Sequence, residues 1–384
     1  MDSFLTAEQR ELLDVVRRFA RSEIEPRAAE IDRSDRFPRA LYTQLAELGL
    51  FGICLAPEAG GSGLDTPTAC LVMEEIARAS GSMGNAYAIP MEAVTFLQEH
   101  GGEVHRRLIP DILSGKIVSA TAATEADYGS DVAGLRTMAV RDGDEYVISG
   151  TKAWVTFGAV ADVFVVFART RPEGGHRGIS CILVEGDRPG LHRGKHEDLM
   201  GMHGLEDCAL AFDEVRVPVT NRIGPEHEAF KMAMGNFNFS RLMVSSMALG
   251  MAQAAFDDAV AYAGARKQFG APINSFQAVQ FMLADMSTDI SAARLLIHHA
   301  GRLFDAGHSI AKEAAQAKLF TTDMANRAAS SAVQIHGGNG YSKHYRVERI
   351  YRDVRLSQIY EGTNQIQRLI IARQIEKEAR AVNA

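Results

Sequence analysis

Five short segments of the 384-residue chain hold residues whose types and spacing could do chemistry. One is Ile359-Tyr360-Glu361-Gly362-Thr363-Asn364-Gln365-Ile366-Gln367-Arg368. Thr363 or Asn364 can cap a helix there, and Ile366, Leu369 and Ile370 supply its apolar face. Glu361, just ahead of the helix start, is either an acid complementing the helix dipole or a positioned carboxylate base. Two earlier segments, Ala123-Thr124-Glu125-Ala126-Asp127-Tyr128-Gly129-Ser130-Asp131 and Lys152-Ala153-Trp154-Val155-Thr156, combine hydroxyls at strand ends with the only tryptophan. They could bond the edge and stack on the face of a flat conjugated ring, or be no more than a turn and a core tryptophan. Arg266-Lys267-Gln268-Phe269-Gly270 reads either as cations at a helix C-terminus or as an arginine gripping a pyrophosphate through paired donors. In Gln334-Ile335-His336-Gly337-Gly338-Asn339-Gly340 the glycines suit a tight turn between helices, and His336 is expected to be packed or hydrogen-bonded rather than catalytic. No GxGxxG follows a predicted strand and opens a helix, so any dinucleotide is held without a Rossmann fingerprint.

The elements that must position these residues come in three textures. Residues 1–118 read as helices: Leu12, Val15, Val16 and Phe19 recur at helical spacing, Gly60, Gly61 and Gly63 punctuate a loop, and Leu71 to Ala79 resumes the pattern. Residues 119–228 read as short strands, among them Glu145 to Ser149, Asp162 to Ala168, Ile179 to Val184 and Cys208 to Pro218. Turn signals such as Asp142-Gly143 and Pro189-Gly190 separate them, which predicts an antiparallel β-barrel or sandwich. Over residues 229–384 the helical period returns in four long candidates: Ala229 to Lys267, Phe276 to Ala306, Ser309 to His336 and Gln365 to Ala379. Their short connections suggest an antiparallel bundle. The expected fold is α+β, mainly α: an N-terminal helical domain, a middle β domain and a C-terminal four-helix bundle.

Bulk properties narrow the function. A hydrophobic fraction of 46% and a charged fraction of 23% are those of an ordinary globular protein. The net charge of −7 gives no support for nucleic-acid binding. The longest apolar run, Leu242 to Phe256, is closed by Asp257 and Asp258 short of the roughly 20 residues of a membrane helix. The start of the chain lacks the basic region and apolar run of a signal peptide, so a cytoplasmic protein is expected. Cys54, Cys70, Cys181 and Cys208 lie far apart with no CxxC pair, which predicts reduced, buried thiols and no metal site.

Together, TE-x-x-x-GSD, K-x-W-V-T, RKQFG, QIHGGNG and IYEGTNQIQR, in this order, resemble the acyl-CoA dehydrogenase family over nearly the whole chain. The resemblance implies FAD as cofactor. It places Thr124 and Ser130 beside the flavin, with Ser130 also near the acyl-CoA, and Trp154 and Thr156 flanking the isoalloxazine ring. Arg266 and Phe269 would hold the pyrophosphate and adenine part, Gln334 and Gly338 would reach the FAD of a neighbouring subunit, and Thr363 and Gln365 match flavin-contacting positions. Because FAD would bridge two chains, a homo-oligomer is implied, usually a tetramer built as a dimer of dimers. Arg241 matches an arginine near coenzyme A and the active-site helix; its other reading is a buried ion pair in the bundle. Tyr87, Met91 and Glu92 fall where the acyl pocket is often lined, Glu92 being expected to point to solvent rather than touch a polar acyl group. Three departures bear on the acyl pocket: Ala126 replaces a common proline, Asp127-Tyr128 replaces small residues, and Phe157 stands where asparagine is frequent.

The resemblance implies α,β-dehydrogenation of an acyl-CoA to a trans-2-enoyl-CoA. Glu361 would take the α-proton, flavin N5 the β-hydride, and electron-transfer flavoprotein the electrons. Some members place the base just before the position of Arg241, but Ser240 stands there and cannot serve, which leaves Glu361. Burial beside the flavin should raise its pKa. Same-family alternatives are a dehydrogenase of a carrier-protein-tethered acyl or aminoacyl group and an oxygen-using flavin oxidase. A non-catalytic assembly subunit is disfavoured by the retained Glu361 and flavin segments.

Overall fold

The computed structural model describes residues 5–173 and 175–382. Its first part is helical, and α1 (Ala7–Phe19) starts where Thr6 accepts the Gln9 N–H while the Gln9 side chain accepts the Thr6 N–H. Leu13 and Val16 form its buried stripe; Leu12 and Val15 lie at its margin. Then follow α2 (Glu25–Ser34), α3 (Arg39–Glu47), α4 (Thr66–Ala79), α5 (Gly81–His100) and two short helices, α6 (Glu103–Arg106) and α7 (Ile109–Leu113). α4 and α5 are buried along almost their whole length, because they lie between the outer helices and the C-terminal bundle.

The middle part is one sheet of β1 (Ser119–Ala122), β2 (Met138–Asp142), β3 (Glu145–Val155), β4 (Val163–Arg169), β5 (Ile179–Glu185), β6 (Leu191–His196), β7 (Cys208–Pro218) and β8 (Arg222–Ile223). The order is β6-β7-β3-β2-β4-β5-β8, with β1 paired to β4. The sheet is not wholly antiparallel, as the strand pattern had suggested. β1 runs parallel to β4 over four residue pairs, and β2 meets β4 in parallel at Met138 and Arg169. The antiparallel hairpin of β2 and β3 lies between β1 and β4 in the chain, so β4 comes back along the direction of β1.

Two irregularities interrupt the β3–β7 pairing, one between Ile148 and Gly150 and one between Lys152 and Val155. At the second, Trp154 takes a positive φ of 58° and its ring is 59% exposed, while Val155 on the next position is buried. Beneath it Lys152 is buried. Its Nζ donates to Glu125 Oε1 and to the Ala123 carbonyl, both at 3.0 Å. Glu125 also accepts the backbone N–H groups of Arg136 (2.7 Å) and Thr137 (2.8 Å). Burial pushes the Lys152 ammonium down to about 8 even with Glu125 opposite. The Thr124 turn is thereby tied to β3, and the Ala153 N–H donates to the Thr124 carbonyl at 2.9 Å.

The C-terminal part holds the four long helices expected, α8 (Ala229–Ala265), α9 (Gln277–Asp305), α10 (Ala311–His336) and α12 (Asn364–Val382), with a short α11 (Val347–Val354) that the periodicity did not single out. α8 ends two residues before the expected Lys267. Arg266 is extended, and β9 (Lys267–Gln268) pairs with β10 (Ala271–Pro272) in a small hairpin. α8 is the central column, packed on α4, α5, α9 and α10. Its middle turns are buried on every side, which is why it carries no polar stripe. Arg294 of α9 donates to Glu74 of α4 (Nε at 3.1 Å) and to Gln253 of α8 (2.9 Å), tying three helices with one guanidinium.

The α+β class and its three-part order are as expected. The four cysteines are free, with Cys70, Cys181 and Cys208 buried. No described helix is long and apolar enough to cross a membrane, and no described cluster of side chains could hold a metal ion.

Two substitutions probe this frame. A Cβ at Gly250 would lie 2.3 Å from the Glu74 carbonyl, so Gly250→Ala should force α8 from α4 and lower stability by about 1–3 kcal/mol in chemical denaturation. Lys152→Met leaves the Glu125 carboxylate buried without its cation. It should cost about 3–5 kcal/mol by the same measurement, more than Lys116→Met on the exposed surface.

Candidate active site

Glu361 and Gly362 make the turn that enters α12, and both have positive φ, 52° and 83°. Glycine adopts this freely; a glutamate held there costs about 1–3 kcal/mol unless its surroundings impose it. They do. Gln367 Nε2 donates to the carbonyls of Glu361 (3.1 Å) and Gly362 (2.8 Å). From α10, Lys318 Nζ donates to the Gly362 carbonyl (3.0 Å) and to Asn364 Oδ1 (2.9 Å). Thr363 caps α12 by accepting the Ile366 N–H at 3.3 Å, whereas Asn364 is buried against Lys318 and Thr322. Lys318 is wholly buried, and burial pushes its ammonium down to about 7. Sequence reasoning missed it: a lone lysine in an amphipathic helix has the pattern of a solvated face, and only the packing of α10 on α12 turns it inward.

The Glu361 side chain reaches into a low-dielectric space. Its Oε2 is enclosed and accepts no hydrogen bond among the described residues. Burial raises its carboxyl above the usual range, while Arg241 and Lys318 pull the other way. Arg241, in α8, is buried; its Nη1 donates to Asn238 Oδ1 at 2.9 Å, and its Nε is enclosed without a partner. Among the described residues it forms no salt bridge within 4 Å, and the charge that acts on it is that of Glu361. Ser240, next to it, is buried too.

Glu92 corrects an expectation. On α5 it is half-buried rather than free in solvent, and burial, then the Glu361 charge, raises its carboxyl well above the usual range. Tyr87 and Met91, one helical turn apart, lie about 140° and about 100° round the helix from Glu92 and are fully enclosed. The titratable groups near the Tyr87 phenol are the neutral Cys54 and Cys70 thiols.

The remaining residues fall into separate groups. Thr124, Trp154 and Thr156 come together at the β3 bulge, where Thr156 Oγ1 donates to Asp207 at 2.8 Å; Ser130 is exposed in the loop that follows Thr124. Thr363 and the exposed Gln365 accompany Glu361. Arg266 and Phe269 sit on the hairpin after α8, Phe269 with φ of 50° and its ring 96% exposed. Gln334 and Gly338 are exposed at the end of α10, where His336 is packed as expected, stacked on Tyr262 at 4.2 Å with Nδ1 against the Ala332 carbonyl. No hydrogen bond or ring contact among the described residues joins the hairpin or the α10 end to the β3 bulge. Trp154 and Phe269 both have positive φ and present large rings to solvent, a fit to a flat cofactor with a long tail. Phe157, the departure from asparagine, also has a positive φ of 63°. It is fully buried, with ring centroids 5.1 Å from Phe37 and 6.0 Å from Tyr42, so aromatic packing offsets the backbone strain that asparagine tolerates more readily.

Comparison with known proteins agrees with this arrangement. The descriptions "Acyl-CoA dehydrogenase, N-terminal domain", "middle domain" and "C-terminal domain" match residues 6–116, 120–215 and 228–376. An acyl-CoA dehydrogenase of Bacillus subtilis is 42% identical over 96% of this chain and 98% of its own. Butyryl-CoA dehydrogenase from Megasphaera elsdenii superposes with a TM-score of 0.94 at 35% identity, over 98% of this chain and all of its own. A chain from the structure described as the electron transferring flavoprotein of Acidaminococcus fermentans superposes with a TM-score of 0.95 at 38% identity, over 98% of this chain and 99% of its own. The chain therefore belongs to the acyl-CoA dehydrogenase family of FAD-dependent oxidoreductases.

Proposed function

We propose that this protein converts an acyl-CoA to a trans-2-enoyl-CoA, with Glu361 taking the α-proton. The observation that carries the reading is the Glu361 carboxyl: its Oε2 is enclosed without a hydrogen-bond partner, burial raises its pKa, and a strained turn that α10 and α12 both brace holds it. A partnered or hydrated carboxylate would be a weak base. One taken out of water gains basicity and loses none of it to competing donors.

Proton removal leaves charge spread toward the thioester oxygen, and that charge needs donors fixed in place. Arg241 supplies a cation on the bundle side, with a free, buried Nε–H. Lys318 holds the backbone on which Glu361 is mounted. FAD, when bound, supplies the acceptor for the β-hydride. Thr124, Ser130, Trp154, Thr156, Thr363 and Gln365 would surround its ring, and Arg266 and Phe269 its tail. The exposed Phe269, Gln334 and Gly338 favour sharing between two copies of the chain, hence a homo-oligomer. The superposition on a chain from an electron-transferring-flavoprotein structure supports such a flavoprotein as the electron acceptor.

Glu361→Gln should keep FAD and its visible spectrum yet slow anaerobic flavin bleaching by acyl-CoA by about 10²–10⁴-fold, the usual contribution of a positioned base. Bleaching at the wild-type rate would remove Glu361 from this role. A panel of straight, branched and cyclic acyl-CoAs in the same assay assigns the acyl group.

A further inference from the structure

Both ends of the turn that carries Glu361 are gripped by one atom. Gln358 ends the 3₁₀ turn (Arg355–Gln358) that leads into it, and its Nε2 donates to Asp323 Oδ1 at 2.6 Å. Asn364 opens α12 on the far side, and its Nδ2 donates to the same oxygen at 2.7 Å. The second carboxylate oxygen, Asp323 Oδ2, accepts Arg368 Nη2 at 3.1 Å, one helical turn further along α12. Asp323 sits in α10, the helix that also supplies Lys318. The bonds already described act inside the turn, where Lys318 and Gln367 hold the carbonyls of Glu361 and Gly362. Neither reaches the chain ahead of Glu361. There the N–H groups of Ile359 and Tyr360 bond only locally, to the Leu356 carbonyl at 2.8 and 3.3 Å. Apart from the Tyr360 O–H on Met247 Sδ at 3.8 Å, Gln358 to Asp323 is the bond that ties residues 355–360 to another helix among the described residues.

We propose that Asp323 is a positioning residue for the reaction: its carboxylate clasps the entry and exit of the turn, fixes the span of residues 359–363, and so sets the direction in which Glu361 is presented. This rests on Glu361 being the base. Hydrogen bonds to a carboxylate are roughly twice as strong as those between neutral groups, which suits one oxygen to hold two side-chain amides. With the span fixed, the turn cannot relieve the positive φ of Glu361 and Gly362 by widening. With the clasp open, the exit remains anchored by Lys318 and Gln367 while the entry is free to swing, and a base displaced by about 1 Å can cost on the order of 10²-fold in rate.

The test uses the FAD-loaded full chain and anaerobic flavin bleaching by the fastest acyl-CoA of the panel. Asp323→Leu removes both arms at similar size. It should lower the limiting bleaching rate by about 10–10²-fold and leave the half-saturating acyl-CoA concentration within about threefold. Asp323→Asn keeps an oxygen for both amides and gives up only the Arg368 pair, which is largely exposed, so it should restore the rate to within about threefold of wild type. Gln358→Leu should lower the rate as well, and adding it to Asp323→Leu should cost less than about twofold more, because the two act through one bond. Should Asp323→Leu not fold, Gln358→Leu alone should show the same split between limiting rate and half-saturation. Without substrate, amide hydrogen exchange at Ile359 and Tyr360 should quicken about tenfold in Asp323→Leu and not in Asp323→Asn, with α9 unchanged. Wild-type bleaching in the leucine variants, an asparagine variant as slow as the leucine one, or exchange that does not move overturns the clasp. Exchange needs no turnover, and Glu361→Gln tests the base directly, so failure of the clasp and failure of Glu361 as base are separate outcomes.

Discussion

A carboxylate must be taken out of water and still be ionised, and much of this architecture answers that demand. The Glu361 Oε2 is enclosed, and the turn that carries it is clamped by Lys318 of α10 and Gln367 of α12. Enclosure alone would protonate it. Arg241 and Lys318, drawn from two different helices of the bundle, restore the balance, and each is itself pushed below its ordinary pKa by the same burial. The three groups are mutually dependent: remove either cation and the acid reverts toward its neutral form; remove the acid and two buried cations lose their counter-charge.

The turn geometry is the second half of the same constraint. A glutamate at positive φ persists only where the surroundings over-determine it. Here Gln367 and Lys318 together accept the burden by bonding consecutive carbonyls, and Thr363 starts α12 on the next residue. The same device recurs at the β3 bulge. Trp154 is turned outward at positive φ on a strand pinned from beneath by Lys152 and Glu125, and Phe157 is held by its aromatic neighbours. In both places strain lies at the position that presents chemistry, and the buried polar network that maintains it lies one layer below.

Much of this was legible along the chain. The three textures, the four long helices, a cap at Thr363 or Asn364, His336 as a packed residue and Glu361 as the base candidate all depend on local patterns: helical period, alternation, turn residues and short motifs. These signals survive because the interactions they encode span few residues, as between Thr363 and Ile366 or Thr6 and Gln9. The parallel pairing of β1 with β4 and the small hairpin after Arg266 were not legible, since neither strand direction nor a two-residue strand has a period to detect.

By itself, the sequence determined the order of the parts and the family, and pointed to Glu361 as the candidate base. The tertiary structure alone decided what surrounds that acid. Lys318, 43 positions upstream of Glu361, has no local mark of its role; Glu92, read as a solvent-facing residue, is half-buried on α5, and Tyr87 and Met91, its near neighbours in the chain, are fully enclosed. The reason is physical: a pKa and an accessible face depend on distances and dielectric between groups far apart in the chain, and those exist only once the helices have packed.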